Sequence, residues 1–190
     1  MALPAEEIRY TFADVLTWNE GDRIEIIDGE AFMMSPPLTD HQRICGGLFA
    51  QLYNYLKDKS CEVFPAPFGV RLFERGGDAP EDVDTMVEPD ITVVCDKSKL
   101  DKYGCKGAPD LVIEVLSPST RRHDKMVKFD LYQKAGVREL WLVDPEAREV
   151  QTFLLDGGRY FVNSYGTAED SIKAAVLEDC VIELSSVFPE

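Results

Sequence analysis

The feature that most constrains the fold is an apolar strand followed by a helix and a second apolar strand. Residues 110–116 and 139–143 are mostly aliphatic, and residues 123–135 between them have the composition and length of a helix. Gly136 stands at the position where a glycine commonly ends a helix. Such a unit places its two strands side by side and parallel, through a right-handed connection. The segment therefore predicts the centre of an α/β domain.

The hydrophobic spacing predicts further elements around this unit. Helices are expected at residues 11–19 and 41–59. Strands are expected at residues 23–27, 30–34, 61–64, 69–73, 91–94, 149–155 and 160–163, with one or two short strands after residue 166. Residues 74–87 and 97–107 are rich in glycine or in charge and predict loops. The pattern predicts one α/β domain over residues 1–190, with a mixed sheet.

The composition fits a protein of the cytoplasm. The N-terminal sequence MALPAEEIRY lacks the basic and apolar regions of an export signal. No apolar run reaches the roughly 18 residues of a membrane-spanning helix. Five cysteines without a C-x-x-C pair predict reduced thiols rather than a zinc or redox motif. We therefore expect a cytoplasmic location, no membrane association and five free thiols.

The charge is distributed unevenly along the chain. Twenty Lys and Arg against 35 Asp and Glu give a net charge of −15, which disfavours non-specific binding to nucleic acid because phosphates are held mainly by basic residues. Residues 96–138 are the exception, with ten basic and six acidic residues. This region either contacts a polyanion or is a solvated lysine-rich loop followed by an ordinary helix face.

Glu114 is the chemically unusual residue of the central strand. An ionised carboxylate among aliphatic side chains is costly unless it is paired, hydrogen-bonded or bound to a metal. A second carboxylate, Asp90, directly precedes the apolar residues 91–94. Two acids at the ends of neighbouring strands can share a divalent cation such as Mg²⁺. The alternative is that Glu114 pairs with Arg138 or a helix lysine, while Asp90 is a turn residue.

The helix after this strand supplies further polar groups. Asp124, Lys128 and Tyr132 are four residues apart and therefore share one stripe of the helix. A lysine beside metal-binding acids can orient or deprotonate an attacking water and offset charge on a phosphate. The alternative for Lys128 is a surface pair with Asp124, which contributes little to stability. The alternative for Tyr132 is core packing with a hydrogen-bonded hydroxyl.

Two motifs of the chain are Glu88-Pro89-Asp90 and Pro109-Asp110-Leu-Val-Ile-Glu114-Val-Leu-Ser117-Pro-Ser-Thr120. They resemble the PD-(D/E)XK nuclease superfamily and, more narrowly, the Uma family of bacterial restriction endonucleases. The resemblance covers about residues 10–155 and includes Glu25, Asp28-Gly29-Glu30, Met34-Ser-Pro36, His41, Asp124, Lys128, Tyr132 and residues 135–145. It implies a restriction-endonuclease-like fold, in which helices flank a mixed central sheet, here with an N-terminal helix and a β-hairpin.

The resemblance also implies roles for individual residues. Asp90 and Glu114 match the two acids of the superfamily, which makes them the expected catalytic ligands of Mg²⁺ or Mn²⁺. The superfamily's lysine normally stands two residues after the second acid, where this chain has Leu116. Related families move the lysine to the following helix, so Lys128 is the expected third catalytic residue. Residues expected to support this site are Glu30, His41 and Tyr132, and those expected to contact phosphates are Arg121, Arg122 and Lys125.

Two functions are consistent with these features. The first is a divalent-metal-dependent endonuclease that hydrolyses phosphodiester bonds of nucleic acid, with DNA favoured over RNA. Many superfamily nucleases use two protomers to cut two strands, so the resemblance also makes a homodimer an expectation. The second is a non-catalytic nuclease-fold module that binds protein or nucleic acid. The displaced lysine and the acidic surface favour this second function.

Overall fold

The computed structural model describes residues 8–19, 21, 23–118 and 120–189. Its α-helices are α1 (Phe12–Val15), α2 (Thr39–Leu56) and α3 (Phe129–Ala135). A π-helical turn, His123–Lys128, leads directly into α3. Short 3₁₀ turns lie at Pro80–Asp82, Lys97–Lys99 and Leu184–Ser186. None of the described helices is long and apolar enough to cross a membrane.

The strands follow one another along the chain as short segments. They are β1 (Ile24–Ile27), β2 (Glu30–Met33), β3 (Glu62–Pro65), β4 (Val70–Arg71), β5 (Ile91–Val94), β6 (Leu100–Asp101), β7 (Gly104–Lys106), β8 (Leu111–Val115), β9 (Glu139–Asp144), β10 (Glu149–Asp156), β11 (Arg159–Thr167), β12 (Ser171–Lys173) and β13 (Val181–Glu183). In the described part of the chain, the largest sheet has six strands in the order β11-β10-β9-β8-β5-β3.

The predicted centre of the domain is confirmed. β8 and β9 pair in parallel, and α3 connects them along the chain. The other neighbours in this sheet are antiparallel, so the sheet is mixed as expected. The N-terminal hairpin β1–β2 is also confirmed, with Asp28 and Gly29 at positive φ in its turn. An Asp-Gly pair favours this turn because both central residues need a left-handed conformation.

The central sheet has a hydrophobic layer on each face. On one face, Ile113 and Val115 of β8 belong to the same cluster as Leu48 and Leu52 of α2. On the other face, Val112 belongs to a cluster that includes residues of α3 and β1. Side chains alternate along a strand, so Glu114 points to the same face as Val112. This places the carboxylate of Glu114 under α3 rather than under α2.

The predicted loop over residues 97–107 is wrong. The segment contains β6 and β7, which form a three-stranded sheet with β4 in the order β4-β7-β6. Gly104, at φ 130°, allows a backbone approach that any side chain would block, since a Cβ there would lie 2.0 Å from the carbonyl oxygen of Gly69. The strand expected at residues 69–73 is shorter in the structure, where it spans only Val70–Arg71.

The expectation of five free thiols is also wrong. Cys61 and Cys95 form a disulfide, whereas Cys45, Cys105 and Cys180 are free. The reason is the antiparallel pairing of β3 with β5, in which Glu62 lies opposite Val94. One further step in this register brings the two cysteines together, although they are 34 residues apart in sequence. Cysteine spacing along the chain does not reveal such a pair.

The buried face of α2 generates a stability prediction. Leu48 is fully buried, whereas Leu38, which precedes the helix, is 63% exposed. We expect Leu48→Ala to lower the free energy of unfolding by about 2–5 kcal/mol, because it removes apolar contacts and leaves a cavity. Leu38→Ala, the matched control, should change it by less than about 0.5 kcal/mol. Urea denaturation followed by circular dichroism measures both values, and equal losses would contradict the observed packing of α2.

Candidate active site

A buried lysine lies between two buried glutamates beneath α3. The Nζ of Lys128 is 2.9 Å from Oε1 of Glu114 and 2.7 Å from Oε1 of Glu25. All three side chains are at most 4% exposed. The hydroxyl of Tyr132 donates a hydrogen bond to the same Oε1 of Glu114. The four residues therefore form one hydrogen-bonded group, which we call the lysine cluster.

Three separate elements supply the lysine cluster. Glu114 comes from β8, and Lys128 and Tyr132 come from the helical segment that follows this strand. Glu25 comes from β1, and its Oε1 also accepts a hydrogen bond of 2.9 Å from the backbone N–H of Glu88. Lys128 and Tyr132, which the sequence places on one stripe of the helix, both contact Glu114. Of the two pairing partners considered for Glu114, the structure shows the helix lysine, since Arg138 pairs with Asp110 instead.

Asp90 lies beside this cluster at the start of β5. The antiparallel register pairs Ile91 with Ile113, and one further step places Asp90 opposite Glu114. Oδ2 of Asp90 accepts a hydrogen bond of 2.8 Å from the backbone N–H of Val115 and lies 3.2 Å from Nε2 of His41. The two predicted acids therefore lie side by side on directly paired strands, and His41 contacts Asp90.

His41 and Cys45 add two further donor groups from α2. They are four residues apart, and Sγ of Cys45 lies 3.6 Å from Nδ1 of His41. One ligand atom each from His41, Cys45 and Asp90 lies within 4.8 Å of the other two, and all three residues are partly exposed. Although burial alone would lower the pKa of His41, the hydrogen bond and charge of Asp90 raise it above its ordinary value.

Carboxylates outnumber cations in this region. Burial raises the pKa of Glu114 to about 8; Lys128 acts against this rise, whereas Asp90, Asp124 and Glu25 reinforce it. Burial likewise raises the pKa of Asp124. Burial alone would lower the pKa of Lys128, but the charges of Glu114, Glu25 and Asp124 raise it above its ordinary value. Lys128 is therefore an ammonium ion that is shared by several acids.

The donor set fits a divalent cation. Both hydrogen bonds of Glu114 that the described residues make end on Oε1, and both of those made by Asp90 end on Oδ2. Each acid therefore has its second oxygen available for a ligand. Mg²⁺ and Mn²⁺ prefer such carboxylate oxygens. A cation between these two acids would also favour the ionised form of Glu114, whose pKa burial raises to about 8.

The residues expected to contact phosphates divide into two groups. The guanidinium of Arg121 binds both oxygens of Asp144, at 2.6 and 2.9 Å, and Glu146 at 2.7 Å. These contacts use three of the five N–H donors of the guanidinium and hold its charge against two carboxylates. Arg122 and Lys125 are exposed on the helical segment that carries Lys128. Of the predicted phosphate-binding residues, these two present their charges to solvent.

The basic residues of the segment 97–106 are engaged locally. Lys97 pairs with Glu62 at 2.8 Å, and Lys106 lies 3.4 Å from Asp101. Lys99 donates a hydrogen bond of 2.7 Å to the carbonyl of Ala108. The local excess of positive charge in the sequence is therefore largely balanced by contacts within the fold.

The structure does not bring Glu30 into the site, although the sequence suggests it as a supporting residue. Glu30 is exposed beside the hairpin turn, and no hydrogen bond or ion pair joins it to the lysine cluster among the described residues. Glu25 takes that place. Sequence interpretation gave Glu25 no role, although it carries the same signal as Glu114, an acid between aliphatic residues of a strand.

The structure brings two acids of adjacent strands near a lysine of the following helix, as the resemblance to restriction-endonuclease-like domains implies. The class of protein is given by the comparison with known families. Residues 11–185 match the family model Uma2, described as "Putative restriction endonuclease". The chain belongs to this family.

The chain is also similar to one curated protein in sequence and to one solved structure in fold. The chain is 26% identical over 160 residues to the uncharacterized protein slr1290 of Synechocystis sp., a match that covers 82% of this chain and 80% of the relative. The fold of this chain resembles the crystal structure of "a putative nuclease belonging to DUF820" from Anabaena variabilis, with a TM-score of 0.72 and 18% identity. That match covers 94% of this chain and 97% of the other. The predicted fold class is therefore confirmed.

The raised pKa of Glu114 generates a pH prediction. A glutamate with a pKa of about 4.3 when unfolded and about 8 when folded binds more protons in the folded state, so its contribution to stability is lost as pH rises between these values. Glu114→Gln lacks this titration and still accepts hydrogen bonds. We therefore expect the melting temperature of Glu114→Gln to rise relative to wild type as pH increases from about 4 to about 8.

Thermal melts in metal-free buffer across this pH range measure the difference. The matched control is Glu30→Gln, because Glu30 is exposed and lies outside the lysine cluster. A relative melting temperature of Glu114→Gln that falls with rising pH would show that Lys128 stabilises the ionised carboxylate more than burial destabilises it.

Proposed function

We propose that the protein is a divalent-metal-dependent nuclease that hydrolyses phosphodiester bonds of nucleic acid, with DNA as the favoured substrate. The observation that carries the proposal is the pair of neighbouring acids, Asp90 and Glu114, each with one oxygen available beside a buried lysine. Membership of a restriction-endonuclease family supports the same reaction class. The expected metal is Mg²⁺ or Mn²⁺.

The residues of the proposed site would have different roles in hydrolysis. Asp90 and Glu114 would hold the metal. When bound, the metal supplies a Lewis acid that stabilises negative charge on the phosphate and on the attacking oxygen. Lys128 donates hydrogen bonds as an ammonium ion, so its expected role is to orient water and offset charge rather than to accept a proton. Glu25 and Tyr132 hold Lys128 and Glu114 in position.

The acidic surface shapes how a substrate is held. A net charge of −15 repels nucleic acid from most of the protein. Arg122 and Lys125 are exposed cations on the helical segment that carries Lys128, whereas the exposed Lys134 pairs with Asp130, so we assign the phosphate contacts to Arg122 and Lys125. Arg121 then has a structural role through Asp144. The cytoplasmic location and a homodimer that cuts both strands remain predictions.

A second candidate function is a nuclease fold that binds without cleaving. The observation in its favour is that Lys128 is already paired with two carboxylates and lies far along the chain from the position that the superfamily's lysine normally takes. Metal binding separates the two candidates, because a module that only binds macromolecules does not need an ion between Asp90 and Glu114.

The central test is cleavage of single- and double-stranded oligonucleotides with Mg²⁺ or Mn²⁺. We expect Asp90→Asn, Glu114→Gln and Lys128→Met each to lower the rate by about 10²–10³-fold, because each removes a group that stabilises charge in the transition state. The matched control is Asp96→Asn, since Asp96 is exposed just after β5 and lies outside the site. Circular dichroism and melting temperatures confirm that each variant is folded.

Two outcomes would contradict the nuclease proposal. Equal cleavage by wild type and all variants would show that a contaminating nuclease is responsible. Absence of cleavage, together with a melting temperature that does not change up to millimolar Mg²⁺ or Mn²⁺, would favour the binding module, because a ligand that binds only the folded state must stabilise it.

The phosphate contacts have their own test. We expect Arg122→Ala and Lys125→Ala each to weaken binding of duplex DNA and to reduce the slope of log K against log salt by about 0.9, because one fewer counterion is released. Lys97→Ala is the matched control, since Lys97 pairs with Glu62. Filter binding or fluorescence anisotropy, with Asp90→Asn as the background to prevent cleavage, measures the slope. An equal change in the control would remove the assignment.

A further inference from the structure

A second kind of donor set lies next to the proposed nuclease site. It consists of His41 and Cys45 from one turn of α2 and Asp90 from the start of β5. The shortest distances are 3.2 Å between Nε2 of His41 and Oδ2 of Asp90, and 3.6 Å between Nδ1 of His41 and Sγ of Cys45. Asp90 and Cys45 thus contact different ring nitrogens of His41, and a bound ion would take one of these nitrogens together with the thiol and the carboxylate.

The chemistry of these donors differs from that of Asp90 and Glu114 together. Sulfur and imidazole nitrogen suit borderline transition metals such as Zn²⁺ and Co²⁺, whereas Mg²⁺ takes oxygen ligands. Three protein ligands with an open fourth position are the usual composition of a reactive zinc site. The sequence alone does not predict this set, because Cys45 lies far from Asp90 along the chain.

The spacing of the donors is close to what such an ion requires. Zinc bonds of about 2.0–2.3 Å in a tetrahedron place neighbouring ligand atoms about 3.4–3.6 Å apart. The three ligand atoms here lie within 4.8 Å of one another. A bound tetrahedral ion therefore requires the three side chains to draw closer together than they lie here. All three residues are partly exposed, so an ion can enter from solvent.

We propose that His41, Cys45 and Asp90 form a binding site for a borderline transition-metal ion of the Zn²⁺ class. The site shares Asp90 with the proposed nuclease site but does not include Glu114 or Lys128. Occupancy of this site therefore fixes one of the two nuclease acids. The proposal concerns binding of the ion and stands whether or not the protein cleaves nucleic acid.

The test is a titration of the metal-free protein with Co²⁺ in the absence of nucleic acid. A cobalt–thiolate bond produces charge-transfer absorption in the near ultraviolet, which reports sulfur ligation directly. We expect this absorption in wild type, its loss in Cys45→Ser, and an affinity at least about tenfold lower in His41→Gln. Excess Zn²⁺ should displace Co²⁺ and abolish the absorption.

Matched variants identify the ligands. Cys180→Ser and His123→Gln change the same residue types outside the set, and both should keep the absorption. Glu114→Gln should also keep it, although the same variant is expected to lose cleavage. This difference separates failure of the nuclease proposal from failure of the metal proposal.

Three results would overturn the proposal. The first is a wild-type protein without charge-transfer absorption at millimolar Co²⁺. The second is absorption that persists in Cys45→Ser, or that is lost in Cys180→Ser, since another thiol is then the ligand. The third is an unchanged affinity in His41→Gln. Circular dichroism confirms that each variant is folded before the titration.

Discussion

The contact of Lys128 with Glu114 and Glu25 is the interaction on which the site depends. It joins β8, β1 and the helical segment between the two parallel strands, and it does so where little water is present. Removing one partner of a buried ion pair typically costs about 3–5 kcal/mol, because the other charge is left uncompensated. Here even the intact cluster has more acids than cations. Burial answers this excess in part by raising the pKa of Glu114 to about 8, so the carboxyl groups of the cluster favour proton uptake when no other cation is bound.

If both proposed metal sites bind their ions, Asp90 serves both. Toward Glu114 it offers oxygen ligands for a hard ion, and toward His41 and Cys45 it belongs to a mixed nitrogen, sulfur and oxygen set. Its Oδ2 is fixed by the backbone N–H of Val115, so the carboxylate keeps one orientation for both neighbours. An ion of the zinc class and an ion of the magnesium class would therefore compete for one residue, and the metal content of the surroundings would influence the activity of the site.

The sequence was informative wherever a local pattern determined the outcome. Glu114 and Lys128 could be selected because a carboxylate in an aliphatic strand and a stripe on the next helix are visible within twenty or so residues of chain. The misses depended on pairing between distant segments. The disulfide of Cys61 required the register of β3 against β5, and the structural role of Arg121 required Asp144 at the end of β9. Glu25 was overlooked because its strand alternates like any half-exposed hairpin.

Contacts between distant segments also determine how much positive charge the chain can offer to nucleic acid. The positive excess of residues 96–138 suggests a basic surface, yet Lys97, Arg121 and Arg138 are held by acids of the same chain. Few free cations then remain for phosphates, and the body of the protein repels a polyanion. For a nuclease of this kind, a metal held by Asp90 and Glu114 would add positive charge that the surface lacks, alongside the exposed cations Arg122 and Lys125.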